Sequence, residues 1–460
     1  MTISAIEAQP PVGRDALAAT RKTSRARTTR RTAVILFLLA FDVYHINFRG
    51  MYTSDAIPNM LVPLSILTEG TISLDPFLEY FGLPDGYMLQ AIQFTPGMEL
   101  DLYYLRARDG HVYSAYPIAL PLVVLPVYAP VVWALGAGTW EWRPLVVLSI
   151  VLGTLAASII AAASVVVMFV LLRRLTTRKW ATILALAYAV GTSTWTTSGE
   201  ALWQQGASTL FLLLTLLALS GPQPSWWRGG LWAALALAVR PTNVFLWAIV
   251  LGVMLLERRR AGAFVAFALP GAVTGLLLVI YNWTLFGDVR GGYDTEPLRL
   301  FSPTALAGLL ASPSRGLLIY SPVVLFAALG AWLALRRSRG DARRVYAIAA
   351  LYALASILFL AHLERWWGGA SWGPRLLTET TAALVVLMAP ATAWIRTRPA
   401  RRALFAAAFA WSLAVQAIGA FCYPMGLWEA TPVPLEWFPR RAWDWHDTQL
   451  GRAIVHCRAP

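Results

Sequence analysis

The sequence predicts an all-α polytopic membrane protein with about eleven transmembrane helices. Three observations carry that reading. Of 460 residues, 58% are hydrophobic and only 13% charged, and the mean hydropathy is +0.57. Soluble chains carry about 25% charged residues, so lipid must solvate much of this apolar surface. The apolar residues come in runs of about 20, the length that crosses a hydrocarbon core as a helix. The arginines, finally, cluster in short stretches between those runs. A net charge of +14 gathered on a soluble domain would suggest nucleic acid. Distributed this way it follows the positive-inside pattern instead, and no nucleic-acid partner is expected.

In chain order, Arg14 to Arg31 form a basic arm and residues 33–49 the first apolar run. No small-x-small cleavage site follows that run, only Arg49, Gly50 and Met51, so it reads as an uncleaved signal anchor with a cytoplasmic N-terminus. Further spans are expected near 145–172, 180–197, 203–220, 229–240, 242–256, 261–281, 316–335, 345–363, 376–395 and 403–421. Arg240-Pro241-Thr242 divides the fifth from the sixth of the eleven, because proline lacks an amide proton and crowds the preceding turn. Residues 116–136 are apolar enough to span, but Pro117, Pro121, Pro126 and Pro130 each remove a donor that lipid cannot replace. That segment is expected to lie in the interface or to re-enter from one side. With it uncrossed, the cytoplasmic side holds 24 of the 38 Lys and Arg, and four acids, Glu7, Asp15, Glu257 and Asp341. A crossing there would turn every later cluster outward. The chain thus divides into a cytoplasmic arm (1–32), a membrane domain (33–421, with a first outer loop over 50–144) and an outer tail (422–460). Both cysteines, Cys422 and Cys457, lie in the tail. An oxidising compartment permits a disulfide between them, and two free thiols fit the sequence equally well.

The side chains able to do chemistry collect on the outer side. Ser54 can cap a helix running from Asp55 toward Thr68 with Ile57, Leu61 and Leu64 on one face. Such a helix is expected to lie along the membrane surface. Asp55 then stands just above the first span, either as a general base for a hydroxyl or as a first-turn acid stabilised by the helix dipole. Asp75, Glu79 and Asp85, further along, read as solvated charges. Asp42 and His45 fall in the first span, where ionisable groups face protein or water and are functional suspects; a structural role, satisfying each other or a neighbouring helix, is the expected one. Glu200, Trp203 and Gln204 lie between the third and fourth spans and offer hydrogen-bonding and stacking groups suited to a sugar. An interfacial aromatic belt accounts for Trp203 equally well.

Arg240 marks the helix break. Arg315, in Ser312-Pro-Ser-Arg-Gly316, and Arg375, in Trp366-Trp-Gly-Gly-Ala-Ser-Trp-Gly-Pro-Arg375, precede helices that restart from the outside. Helix N-termini favour anions, and a guanidinium fork matches phosphate oxygens. Headgroup anchoring, or pairing with Glu364 or Glu379, is the alternative for each; as a converging set they point to phosphate. Five scattered histidines form no metal-ligand pattern, and the sequence does not specify a divalent metal.

This arrangement resembles the GT-C superfamily of polyprenyl-phosphate-sugar glycosyltransferases, which includes protein O-mannosyltransferases and the aminoarabinose transferases that modify lipid A. The resemblance covers residues 33–400 and lies in the first span, the acid soon after it, and a long outer loop with two helices. Tyr116-Pro117-Ile-Ala-Leu-Pro121, before the long span at 145–172, is similar to the Lys-Pro-Pro segment of those transferases. Arg240-Pro241 stands at a broken helix, and Ser312 to Gly316 and Trp372-Gly-Pro-Arg375 look like segments of bacterial members. Paired acids are frequent after the first span in that superfamily, whereas here Ala56 follows Asp55. Trp366-Trp367 is followed by Gly368 and not by aspartate, so the oligosaccharyltransferase motif is missing.

The resemblance implies a GT-C bundle that moves a sugar from a polyprenyl-phosphate donor to a hydroxyl of a lipid, glycan or protein acceptor, with inversion. The reaction would take place on the non-cytoplasmic face of a bacterial inner membrane, among membrane lipids and without a certain cofactor. Asp55 is the implied base. Arg315 and Arg375, with Arg240 and Arg49 in reserve, would hold the donor phosphate, and Glu200, Trp203, Gln204 and Trp372 the sugar or acceptor. Two rival classes share these features: a lipid or solute transporter, and a ligase that moves a whole glycan from a pyrophosphate carrier.

Overall fold

The computed structural model describes residues 14–47, 49, 55–82, 103–292, 300–423 and 426–458. Ser54 and Asp85 lie outside the described residues. The basic arm and the first apolar run form one helix, α1 (Arg14–His45). The next, α2 (Ile57–Thr68), begins two residues after Asp55 and departs from expectation. Every residue from Ile57 to Ser65 is buried, so α2 does not lie with one face on a membrane surface. Its composition explains this: Pro58, Met60, Val62 and Pro63 fill the faces beside Ile57, Leu61 and Leu64, and a helix apolar all round is buried.

An antiparallel hairpin follows, β1 (Leu105–Arg108) and β2 (His111–Ser114). Asp109 and Gly110 turn it, both with positive φ (49° and 87°), as a two-residue hairpin turn demands. The proline-rich segment forms α3 (Ala119–Ala134), sixteen residues with Pro126 and Pro130 inside. That is about 24 Å of helix, short of a hydrocarbon core of about 30 Å. Together α3 and α4 (Trp142–Leu175) enclose α2.

The bundle continues with α5 (Arg178–Val190), α6 (Gln204–Leu219), α7 (Trp226–Val239), α8 (Val244–Leu256) and α9 (Ala261–Phe286). Beyond it come α10 (Pro303–Ala311), α11 (Leu317–Tyr320), α12 (Phe326–Arg337), α13 (Gly340–Leu360), α14 (Thr378–Leu387), α15 (Thr392–Ile395) and α16 (Pro399–Cys422). The tail adds α17 (Leu427–Ala430) and α18 (Gln449–Arg458). Helices α4, α9, α13 and α16 are each long and apolar enough to cross a membrane.

Three expected spans are broken. The run 180–197 leaves the helix at Val190 and enters a buried π-helical turn, Thr194–Gly199. Proline divides 316–335 at Pro322 and 376–395 near Pro390. The break at Arg240-Pro241 falls where expected, between α7 and α8. There the Asn243 amide donates to the Ala236 and Arg240 carbonyls at 3.1 and 3.2 Å and to Ser208 Oγ at 2.7 Å. Side chains of this kind are what make broken backbone tolerable at membrane depth.

The α7 helix packs on α6 and α9. A Cβ on Gly230 would come within 2.4 Å of the Phe267 carbonyl oxygen, so only glycine lets α7 and α9 approach this closely. Helix α9 turns Val265, Leu269, Leu276 and Ile280 outward, an apolar surface that belongs against lipid. One end of the bundle is knit by Arg174, which bonds Ser220, and by Arg344, which bonds Glu257 and the Leu219 carbonyl. The other end gathers Asp55, the hairpin, the turn before α6, the glycine-rich loop before α14 and the tail.

Candidate active site

Asp55 is held where the chain turns into α2. Asn59, on the first turn, donates to the Asp55 carbonyl at 3.2 Å and to the Leu202 carbonyl at 3.4 Å, tying α2 to the turn before α6. The hairpin register pairs Leu105 with Ser114, and Ala115 N–H donates to the Tyr104 carbonyl at 2.9 Å. Extending that register sets Tyr103 opposite Tyr116 at the open end. Both phenols donate to Oδ1 of Asp55, at 2.5 and 2.6 Å. Arg375 Nη1 donates to Oδ2 at 2.6 Å across 320 residues of sequence. Burial works against the carboxylate's charge, but the Arg375 guanidinium, then the two phenols, outweigh it and hold the carboxyl below its ordinary value.

Arg375 ends the loop Gly368 to Pro374. Three of its glycines have positive φ (Gly368 78°, Gly369 66°, Gly373 55°), which other residues rarely adopt. A Cβ on Gly373 would also meet the Tyr320 ring at 2.4 Å. Nη2 of Arg375 donates to the Gly368 carbonyl at 2.7 Å, and the guanidinium lies 3.9 Å from the centre of the Trp203 ring. Among the described residues its buried Nε has no hydrogen-bond partner. Beside Trp203, Gln204 is buried, and among the described residues its Nε2 has none either.

The four arginines do not converge on one point; each faces its own acid. Arg315, 1% exposed, donates to Glu429 Oε1 at 2.7 Å and to the carbonyls of Gly369 (2.9 Å), Ser371 and Gly373 (3.2 Å). Arg240 meets Glu379 Oε1 at 2.5 Å, one helical turn along from Arg375. Arg49 donates to the carbonyls of Ala420 and Tyr423 and lies near Glu200. A guanidinium out of water needs a counter-charge, and sequence spacing cannot say which acid supplies it.

Glu200, in the turn between α5 and α6, is 1% exposed and accepts from Asn47 Nδ2 at 2.7 Å. Burial pushes its carboxyl up to about 8, against the opposing pull of Arg49 and Asn47. Trp372 packs between Tyr320 and Tyr423, at ring distances of 5.4 and 5.2 Å. Asp42 and His45 do not pair, since His45 Nδ1 contacts the Phe41 carbonyl at 2.9 Å and Asp42 is exposed. Among the described residues, no three His, Cys, Asp or Glu side chains gather as a metal site would require.

Sequence reasoning missed Tyr103 and Tyr116, although Asp109-Gly110 between alternating residues was a readable hairpin signal. It also missed Glu429 and Gln449, for which no local signal exists. Gln449 Nε2 donates to the Ser371 carbonyl at 2.8 Å and to Glu429 Oε1 at 2.9 Å, and its Oε1 accepts from Gly373 N–H at 2.9 Å and from the Tyr320 hydroxyl at 3.0 Å. Cys422 and Cys457 form a disulfide, which joins the end of α16 to α18.

No protein-family model matches the chain, and no curated protein matches it. Its fold nevertheless has solved counterparts. ArnT from Cupriavidus metallidurans bound to undecaprenyl phosphate superposes with a TM-score of 0.52 at 15% identity, covering 91% of this chain and 69% of that one. The same protein in the apo state gives 0.52 at 14%, over 92% and 68%. The chain is an all-α polytopic membrane protein that shares the fold of ArnT.

Proposed function

We propose that this chain is a glycosyltransferase that moves a sugar from a polyprenyl-phosphate donor to an acceptor hydroxyl. The observation that carries the reading is the Asp55–Arg375 pair, a carboxylate and a guanidinium from distant parts of the chain, flanked by two phenols and an indole. A proton acceptor beside a phosphate-matching cation is what such a transfer needs. The undecaprenyl phosphate bound by the structurally similar ArnT supports the lipid-linked donor.

In this reading the acceptor oxygen attacks the anomeric carbon and its proton passes to Asp55. The bond from carbon to the phosphate oxygen breaks with inversion, and the electron pair leaves on the phosphate. Arg375, whose Nε has no hydrogen-bond partner among the described residues, stabilises that charge as it develops. Because the resting guanidinium holds Asp55, donor phosphate and Asp55 compete for it. A donor that draws Arg375 away removes the charge that depresses the carboxyl and makes Asp55 a better base. Trp203 and Gln204 face the sugar or acceptor, Glu200 and Arg49 brace that wall, and Arg240 stands one turn further along. Arg315 and Trp372 support the loop that bears Arg375. The arginine clusters at the opposite end of the bundle and the disulfide at this end support a non-cytoplasmic site.

The experiment is release of free polyprenyl phosphate from a polyprenyl-phosphate sugar by the purified protein supplied with envelope acceptors. Wild type is expected to release it. Asp55→Asn, which keeps the shape of the carboxylate, should bind the donor at least as tightly while turnover falls about 10²–10⁴-fold. Relocation of intact donor across a vesicle membrane without release would establish the transporter instead. Wild-type turnover in Asp55→Asn would remove the base.

A further inference from the structure

We propose that Glu429 and Gln449, in the C-terminal tail, are positioning residues for Arg375, acting through the backbone of the loop that carries it. The proposal rests on the reading of Arg375 as the donor-phosphate contact. The loop is poorly equipped to hold its own shape: three of its residues from 368 to 373 are glycines with positive φ, and glycine loses the most freedom on ordering. Its order comes from outside. Arg315 binds the carbonyls of Gly369, Ser371 and Gly373, while Gln449 binds the Ser371 carbonyl and the Gly373 amide.

Both clamps converge on one oxygen. Glu429 Oε1 accepts from Arg315 Nη2 at 2.7 Å, from Gln449 Nε2 at 2.9 Å and from the Tyr423 hydroxyl at 2.5 Å. The carboxylate is the counter-charge of a fully buried arginine, so it fixes Arg315 as well as Gln449. Two residues beyond the clamped backbone stands Arg375, and its Nη2 bonds the Gly368 carbonyl at the loop's other end. A shift of the loop therefore moves the guanidinium directly. The tail is itself tied down at α18, which packs on α16 and carries the Cys422–Cys457 disulfide. Among the described residues, the Asp55 carboxylate bonds to Tyr103, Tyr116 and Arg375 and to no tail residue, so the tail acts by holding the loop and not by touching the reacting groups.

Two variants of the full chain test this. Gln449→Met keeps length and removes the hydrogen bonds, and Cys457→Ser cuts the tether while leaving every loop contact possible. In either, backbone hydrogen exchange over residues 368–377 should rise while exchange in α4 and α9 stays at the wild-type level. Turnover should fall, up to about 10²-fold for a displacement of an ångström, with acceptor KM unchanged. In an Arg375→Ala background the same substitutions should cost nothing further, because the group they position is gone. Unchanged exchange over 368–377 in both variants overturns the proposal, as does a turnover loss that multiplies with that of Arg375→Ala. Should wild type release no polyprenyl phosphate, the functional reading fails by itself, while the exchange measurement still decides whether the tail holds the loop.

Discussion

Asp55 and Glu200 are both carboxyls near the same end of the bundle, and their surroundings drive them in opposite directions. Asp55 has a guanidinium and two phenols within hydrogen-bonding distance, enough to offset what burial costs its charge. Among the described residues, Glu200 has one amide donor and a more distant arginine, and burial wins, so its carboxyl rises to about 8. The sign of its linkage to folding follows. A carboxyl raised on folding contributes stability that is fully present below its ordinary value near 4.5 and is lost as pH climbs through about 8. Thermal unfolding in detergent should therefore show a midpoint that falls from pH 6 to pH 9, and Glu200→Gln should flatten that slope. An unchanged slope in the variant would show that Glu200 is ionised in the folded protein at neutral pH.

The loop before α14 is the element on which the site depends, and two arginines there do different work. Arg315 is sealed in by three carbonyls and Glu429, with the Trp428 ring 5.3 Å from its guanidinium carbon. Removing it strands a buried carboxylate, so Arg315→Ala should destabilise the protein by about 3–5 kcal/mol. Arg375→Ala leaves Asp55 partly exposed and still bonded to two phenols. That variant should fold and instead lose about 2–5 kcal/mol of donor binding. Unfolding midpoints and donor-lipid titrations separate the two, and a reversed pattern would exchange their roles. Both motifs were legible as arginines placed before helices. That one arginine pairs inward and the other faces the candidate base was not, because the choice depends on Glu429, more than fifty residues downstream of either loop end.

For the molecule as a whole, the charge asymmetry and the disulfide imply one orientation in the membrane. On that proposed orientation the tail is expected outside, with Trp428 and Cys457. A reporter fused after Pro460 and active only outside the cytoplasm should give signal, and one active only in the cytoplasm should be silent. The opposite result would invert the assignment of the two ends and place Asp55 on the cytoplasmic side. What the sequence alone determined is the part governed by local rules: apolar runs sized to a bilayer, the break at Arg240-Pro241 where proline removes a donor, arginine clusters gathered at one end, and a candidate base soon after the first span. Each depends on neighbours a few residues apart. Only the tertiary structure decided that α2 is wrapped and does not float, that Tyr103 and Tyr116 close on Asp55, and that each buried arginine has its own acid. Those outcomes follow from the free-energy cost of leaving a charge unpaired away from water. Partners come from anywhere in the chain, so their identity is set by packing and not by spacing.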